Sequence, residues 1–288
     1  MRRIGLVAVF AVALLAASCN RDEQSKNVAA DEHAGHTTAA PSSATDSSAP
    51  PAAAAAVAAD ELVKYGDASG YLALPPAGGE AKKPALVVIQ EWWGVDDWIH
   101  EQNKRFAGQG YVALAPDLYR GRLAKSPEEA HELMRGMPED RAMADLKAAV
   151  DYLASRPDVD PARIGVIGWC MGGGYALTLG TADPRMKAIA MNYGRLVTDN
   201  DAITRISGPV LGNFGGADRG IPAADVSAFG GKLTQYGKLG DIKVYEGVGH
   251  AFMNPNNKEG YNEAAAQDAW GRIDRFFDRT LRARISNS

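Results

Sequence analysis

Short apolar runs recur along the chain from residue 85 onward, and segments with helical spacing lie between them. The runs are residues 85–89, 111–115, 163–168, 188–193, 209–214 and 242–245. Helical spacing of apolar side chains covers residues 100–109, 140–153, 172–179 and 261–281. Apolar runs are typical of strands buried on both faces, and strands that alternate with helices form parallel sheets. The sequence therefore predicts an α/β fold whose mostly parallel sheet carries helices on both faces.

One junction between a predicted strand and a predicted helix carries a nucleophile motif. Gly168-Trp169-Cys170-Met171-Gly172 follows the third apolar run and precedes a helix of small residues. This is the pattern of a glycine-flanked nucleophile at a sharp turn, with cysteine in place of serine. The helix N-terminus favours a thiolate, and the free Met171 amide would stabilise an oxyanion. We predict that Cys170 is a nucleophile; the alternative is a small buried apolar residue.

A nucleophile of this kind needs a histidine base and an acid, which follow it in chain order. His250 is the only histidine after Cys170, and it lies in a glycine-rich loop past the last apolar run. Asp218 follows the preceding run through a glycine turn, so it is the predicted acid that orients His250. Asp225 is the alternative acid, although its surroundings are typical of a helix surface.

Together these segments resemble the dienelactone hydrolase family, whose members have the α/β-hydrolase fold and include carboxymethylenebutenolidase. The resemblance extends over about residues 71–277. The segments that carry it are Gln90-Glu91-Trp92-Trp93-Gly94, Ala115-Pro116-Asp117-Leu118-Tyr119, Gly168-Trp169-Cys170-Met171-Gly172-Gly173, Asn192-Tyr193-Gly194, Asp218 and Gly249-His250. Any one of these motifs alone is weak, but their combination is specific.

The resemblance implies further roles near the thiol. The glutamate that matches Glu91 interacts with the thiol in the family's resting state and shifts when substrate binds. A carboxylate beside Cys170 could accept the thiol proton and leave a thiolate paired with protonated His250. The resemblance also implies that the backbone amide of Trp92 joins that of Met171 in an oxyanion hole.

Family enzymes hold a substrate carboxylate with arginines. One of them follows the Pro-Asp-Leu-Tyr segment, which implies Arg120 or Arg122 in this chain. The other follows the catalytic histidine, but residues 251–255 contain no arginine. This departure weakens the expectation of a dienelactone substrate.

Aromatic side chains near these motifs are further candidates for substrate binding. Tyr193 and Trp93 lie within two of the segments that resemble the family. Trp92, Trp93 and Trp98 would line a bulky apolar entrance to the site. Core packing is the alternative for these tryptophans, because large aromatic side chains contribute heavily to protein cores.

The first nineteen residues have the layout of a secretory signal. Arg2 and Arg3 precede an apolar run over residues 4–17, which is too short for an ordinary spanning helix. Cys19 follows small residues, as in the lipobox of bacterial lipoproteins. We therefore predict a lipoprotein-type signal over residues 1–19, lipidation of Cys19 and an extracytoplasmic protein anchored to the cell envelope. An ordinary signal peptide, giving a periplasmic or secreted protein, is the alternative.

Residues 20–60 are rich in Ala, Ser, Thr and Pro and show no apolar period. They are predicted to form a disordered tether, which leaves residues 61–288 for the catalytic domain. His33 and His36 lie in this tether without further ligands beside them, so no metal site is expected. A net charge of −4 gives no basic footprint for nucleic acid, and no organic cofactor is indicated.

We therefore predict a monomeric hydrolase that cleaves a small-molecule ester or lactone through Cys170, His250 and Asp218. The first alternative is a broad carboxylesterase without lactone preference, which the missing arginine favours. The second is a tethered binding protein that keeps the fold without turnover. The presence of all three predicted triad residues argues against this second alternative.

Overall fold

A computed structural model describes residues 60–79 and 81–282. The strands are β1 Asp60–Tyr65, β2 Ala68–Ala73, β3 Lys83–Ile89, β4 Val112–Pro116, β5 Val159–Trp169, β6 Met186–Asn192, β7 Val210–Gly215 and β8 Gly240–Tyr245. The helices are α1 Asp97–Gly108, α2 Pro127–Arg135, α3 Glu139–Ser155, α4 Met171–Ala182, α5 Asn200–Arg205, α6 Ala223–Gln235 and α7 Glu263–Phe277, followed by a π-helical turn, Asp278–Arg282. The predicted signal, the tether up to residue 59 and Cys19 lie outside the described residues.

The eight strands form a single sheet in the order β1-β2-β4-β3-β5-β6-β7-β8. β3 to β8 are mutually parallel, whereas β1 and β2 pair antiparallel at one edge. Each of the six predicted runs corresponds to one parallel strand. The prediction missed β1 and β2, because they are short, partly exposed and not continuously apolar. Asp60, the predicted last residue of the tether, instead begins β1 and pairs with Ala73.

Alternating side chains of each central strand enter two separate cores. On β3, Val87 and Ile89 pack on one side with α3, α4 and α6, while Leu86 and Val88 pack on the other with α1 and α7. Both faces of the sheet are therefore apolar, which explains why its strands read as continuous apolar runs. Among the described residues, no helix is long and apolar enough to cross a membrane.

The parallel strands end at one edge of the sheet, where ligands bind in open α/β folds. β3 leads into Glu91, β5 into Cys170, and β7 into the turn that carries Asp218. His250 lies in the loop after β8. Residues that are distant in sequence are therefore brought to neighbouring positions by the order of the strands.

Candidate active site

The turn at Cys170 has the strained backbone that its sequence pattern predicts. Cys170 has a φ of 52° and a ψ of −118°, in the left-handed half of backbone space that L residues rarely adopt. A Cβ on Gly168 would lie 2.1 Å from the carbonyl oxygen of Gly172, and a Cβ on Gly172 would lie 2.4 Å from that of Gln90. The glycines therefore allow α4 to begin directly against β5 and the end of β3, with Cys170 at the apex.

The Cys170 side chain is half-buried, and the backbone amides of Met171 and Trp92 lie close enough to the thiol to lower its pKa. These two N–H groups come from the start of α4 and the end of β3, so they converge on the position where a substrate oxyanion would lie. Burial, and then the nearby Glu91 carboxylate, raise the pKa of the thiol to about 12 despite the two amides. The amide at the helix N-terminus thus lowers the thiol pKa, as its position predicts, but desolvation outweighs this effect.

His250 is held by Asp218 through a short hydrogen bond. The distance from His250 Nδ1 to Asp218 Oδ2 is 2.6 Å, and the Asp218 carboxylate is almost fully buried. The other Asp218 oxygen accepts from the amides of Gly220 and Ile221. With Nδ1 fixed as the donor to the carboxylate, Nε2 of a neutral His250 is left as a proton acceptor.

A glycine also permits the close approach between the loop that carries Asp218 and the loop that carries His250. A Cβ on Gly215 would lie 2.3 Å from the backbone oxygen of Gly249, next to His250. The ring of Tyr193 packs edge-on against the imidazole, with 5.2 Å between ring centres. The imidazole is therefore positioned on one side by Asp218 and on another by an aromatic ring.

Glu91 lies in a buried pocket beside Cys170. Asn254 Nδ2 donates to Glu91 Oε2 at 2.7 Å, whereas the buried Oε1 has no hydrogen-bond partner among the described residues. The Tyr193 hydroxyl is close enough to affect the Glu91 pKa, but it lies outside hydrogen-bond geometry. Burial raises the pKa of Glu91 to about 7, against the lowering effect of Asn254.

A cavity of about 540 Å³ opens beside the thiol. Cys170, Met171, Tyr193 and His250 line it together, so four of the predicted site residues share one space. Its remaining wall comes from the segment after β6 and from α6 with the preceding loop. These lining residues are Arg195, Leu196, Val197, Thr198, Gly220, Ile221, Asp225, Ala228, Phe229 and Lys232.

The two predicted arginines do not line this cavity. Arg120 forms a bidentate ion pair with Asp145, at 2.7 and 2.9 Å, and also donates to the backbone oxygen of Asp67. Arg120 and Arg122 line a separate cavity of about 170 Å³, together with Arg141. The guanidinium of Arg120 is thus engaged in holding the fold together.

None of the three tryptophans lines the cavity beside Cys170, and Trp98 alone of the three is a fully buried core residue. Trp98 is buried in the core and packs edge-on against Trp169. Trp92 and Trp93 are half-buried, contact each other, and Trp92 also packs against His131. Trp92 and Trp93 lie outside the cavity lining at Cys170, although the backbone amide of Trp92 is close to the thiol.

Several residues that line or support the site were missed from the sequence. Asn254 carried no signal, because an asparagine four residues after a histidine matches no motif. Arg195 and Lys232 lie on the cavity wall, but each belongs to a segment that is unremarkable in sequence. No group of three or more His, Cys, Asp or Glu side chains in residues 60–79 and 81–282 is arranged to hold a metal ion.

The sheet order, the turn at Cys170 and the loop that presents His250 define an α/β-hydrolase. Residues 68–281 match the model of the dienelactone hydrolase family, and the chain belongs to that family. It is therefore a hydrolase that acts on carboxylic ester or lactone bonds. This result favours the predicted enzyme over a binding protein without turnover.

Individual relatives agree with this assignment. The chain is 35% identical to a predicted carboxymethylenebutenolidase from Methylorubrum extorquens, over 72% of this chain and 75% of that protein. It is 34% identical to protein usf from Aquifex pyrophilus, over 74% of this chain and 93% of that protein. A solved structure of a predicted dienelactone hydrolase from Klebsiella pneumoniae matches with a TM-score of 0.66 and 28% identity, covering 74% of this chain and 93% of that one.

Proposed function

We propose that the chain hydrolyses a small-molecule ester or lactone through Cys170 as nucleophile, with His250 and Asp218 as base and orienting acid. The observation that carries this proposal is the 2.6 Å bond between His250 Nδ1 and Asp218, because it orients an imidazole that shares a cavity with Cys170. The strained turn and the two amides that converge on the thiol support the same roles.

The reaction begins with a protonated thiol, because burial raises the pKa of Cys170 to about 12. The thiol proton passes to His250, either directly or by way of Glu91, as sulfur attacks the substrate carbonyl carbon. The negative charge that forms on the carbonyl oxygen is stabilised by the amides of Met171 and Trp92. The alcohol then leaves with a proton from His250, and a thioester to Cys170 remains.

Water completes the cycle. His250 Nε2 removes a proton from a water molecule, the resulting hydroxide attacks the thioester carbon, and the thiolate leaves. The thiolate regains a proton from His250, and the carboxylic acid product dissociates. In a lactone the leaving alcohol stays attached to the acyl group, so one product carries both the hydroxyl and the new carboxylate.

The nucleophile is tested by substitution of Cys170. We expect Cys170→Ala to lower kcat on an aryl ester by at least about 10³-fold, because the covalent route is lost. Asp225→Asn is the comparison variant, since Asp225 lines the same cavity but makes no hydrogen bond to His250 among the described contacts. Full activity of the Cys170→Ala protein would overturn the proposed mechanism.

A preference for uncharged esters is the second candidate, and the cavity lining favours it. Leu196, Val197, Ile221 and Phe229 give the wall an apolar surface. Both cations on this wall have partners: the Lys232 amine donates to the backbone oxygen of Thr198 at 2.7 Å, and the Arg195 guanidinium donates to Glu139 Oε1 at 3.4 Å. This cavity therefore has an apolar surface for an uncharged substituent, and Arg120 and Arg122 lie outside it.

Paired substrates separate the two candidates. We expect a neutral aryl butyrate to have a kcat/KM at least tenfold above that of a lactone with a free carboxylate. Replacing the half-buried Ile221 by Trp should narrow the cavity. We expect this variant to turn over the aryl butyrate less well, with a smaller effect on the aryl acetate that has the same leaving group. A higher kcat/KM for the carboxylate-bearing lactone would instead favour a lactone hydrolase over an esterase for uncharged substrates.

We also propose that Cys19 is lipidated and anchors the protein to the cell envelope, outside the cytoplasm. The support is the sequence pattern alone, in which two arginines, an apolar run and small residues precede the cysteine. Cells fed a clickable fatty acid should label the full-length protein but not its Cys19→Ala variant. Equal labelling of the two would exclude this anchor.

A further inference from the structure

Asn254 connects the loop that carries His250 to the carboxylate beside the thiol. It is buried, and its amide nitrogen donates to Glu91 Oε2 at 2.7 Å. Its amide oxygen accepts from the backbone amide of Asn256 at 2.9 Å. Both ends of the Asn254 side chain are thus engaged, which fixes the orientation of the amide and makes it a donor toward Glu91.

The hydrogen bond from Asn254 engages only one of the two carboxylate oxygens of Glu91. Oε1 is buried, and it has no hydrogen-bond partner within the described part of the chain. An unsatisfied buried carboxylate oxygen is costly, so it indicates a function that uses the free acceptor. The Cys170 thiol and the unpartnered Tyr193 hydroxyl are the proton donors near this carboxylate, and the charge of Glu91 raises the pKa of the thiol.

We propose that Asn254 is a positioning residue that holds Glu91 beside Cys170 through a neutral hydrogen bond and leaves Oε1 free to accept the thiol proton. This inference rests on the proposed roles of Cys170 as nucleophile and Glu91 as proton acceptor. In the transfer the S–H bond breaks, its electron pair stays on sulfur and the proton binds Glu91 Oε1. The pair carries one negative charge before and after, so no additional charge is buried.

The neutrality of Asn254 is essential to this role. The groups with the largest influence on Glu91 are Asn254, Asp96 and Tyr193, and none of these is a cation. Cys170 faces the same carboxylate from the start of α4. A cationic partner would stabilise the ionised carboxylate and make it a weak base. An amide orients the carboxylate with a smaller effect on its basicity, so Glu91 can exchange a proton near neutral pH.

Alkylation of Cys170 by iodoacetamide measures this proton transfer without any ester substrate. Glu91 and Cys170 titrate as a coupled pair, so the alkylation rate should rise with pH and level off above about 7, the pKa of Glu91. In Asn254→Leu the carboxylate loses its donor, and we expect the midpoint to move upward by about one pH unit. Asn254→Asp, which keeps the side-chain volume, should move it further because it adds a like charge.

Two further variants make the outcome specific. Asn256→Ala retains the backbone amide that binds Asn254, so its alkylation profile should match that of the wild type. Glu91→Gln removes the acceptor, so its rate should keep rising with pH beyond 9 without levelling off. An unchanged midpoint in both Asn254 variants would overturn the positioning role. An unchanged profile in Glu91→Gln would instead refute Glu91 as the acceptor, and neither result depends on ester hydrolysis.

Discussion

The hydrogen bond between Asp218 and His250 gives a quantitative prediction for Asp218→Asn. When His250 takes up a proton, the carboxylate and the imidazolium are separated by about 4 Å between charge centres, an attraction of roughly 4 kcal/mol at an effective dielectric constant of 20. This corresponds to about 10³ in rate. The His250 side chain is 40% exposed, so solvent screening reduces the effect. We expect kcat/KM on an aryl ester to fall roughly 10²- to 10³-fold.

The fold should tolerate this substitution. The asparagine oxygen can still accept from the amides of Gly220 and Ile221, as Asp218 Oδ1 does at 2.8 and 3.3 Å. Its amide nitrogen would face His250 Nδ1 as a donor and favour the tautomer that cannot accept a proton at Nε2. Thermal unfolding is expected to stay within a few degrees of the wild type.

Steady-state kinetics of Asp218→Asn and Asp225→Asn, measured side by side, test the assignment of the acid. Asp225 lies on the wall of the cavity, and its replacement should change kcat/KM by less than about fivefold. A loss of less than fivefold in Asp218→Asn, or a larger loss in Asp225→Asn, would refute the reasoning from the 2.6 Å hydrogen bond.

Gly172→Ala should lower the free energy of unfolding in urea by about 2–4 kcal/mol. The new Cβ would lie 2.4 Å from the backbone oxygen of Gln90, and this backbone cannot move aside. Unchanged stability would contradict this prediction. Burial raises the pKa of Glu91 from 4.5 to about 7, so the folded state binds its proton more tightly and stability falls as pH rises between those values. Glu91→Gln should remove this loss and gain about 3 kcal/mol at pH 8, measured by urea unfolding at pH 5 and pH 8. Arg120→Met leaves the buried Asp145 without its ion-pair partner and should cost about 2–4 kcal/mol of stability. We expect its kcat/KM on a neutral ester to change less than threefold. A tenfold rise in KM confined to a carboxylate-bearing ester would instead identify Arg120 as a residue that binds the substrate carboxylate.

The parallel strands and the turn at Cys170 were predictable because their signals are local. A strand buried on both faces must be apolar along its whole length, and a nucleophile at a sharp turn needs glycine on both sides. The antiparallel strands β1 and β2 lacked such a signal, since each is partly exposed. The assignment of Asp218 and His250 also followed from local turns combined with chain order.

The ionisation state of the thiol could not be predicted in the same way. The sequence places Cys170 at a helix N-terminus, which by itself favours thiolate. Its pKa is instead decided by burial and by Glu91, which reaches it from another strand. Electrostatic free energies depend on the whole surroundings of a group, and those surroundings come from loops far apart in the chain.

The sequence by itself thus determined the alternation of strands and helices, the nucleophile turn and the family. Each of these depends on residue types at fixed spacing along the chain. The tertiary structure alone decided that Arg120 pairs with Asp145, that Asn254 holds Glu91, and that an apolar wall lines the cavity beside Cys170. Such contacts join segments separated by tens to more than a hundred residues, so they arise only once the sheet brings the strand ends together.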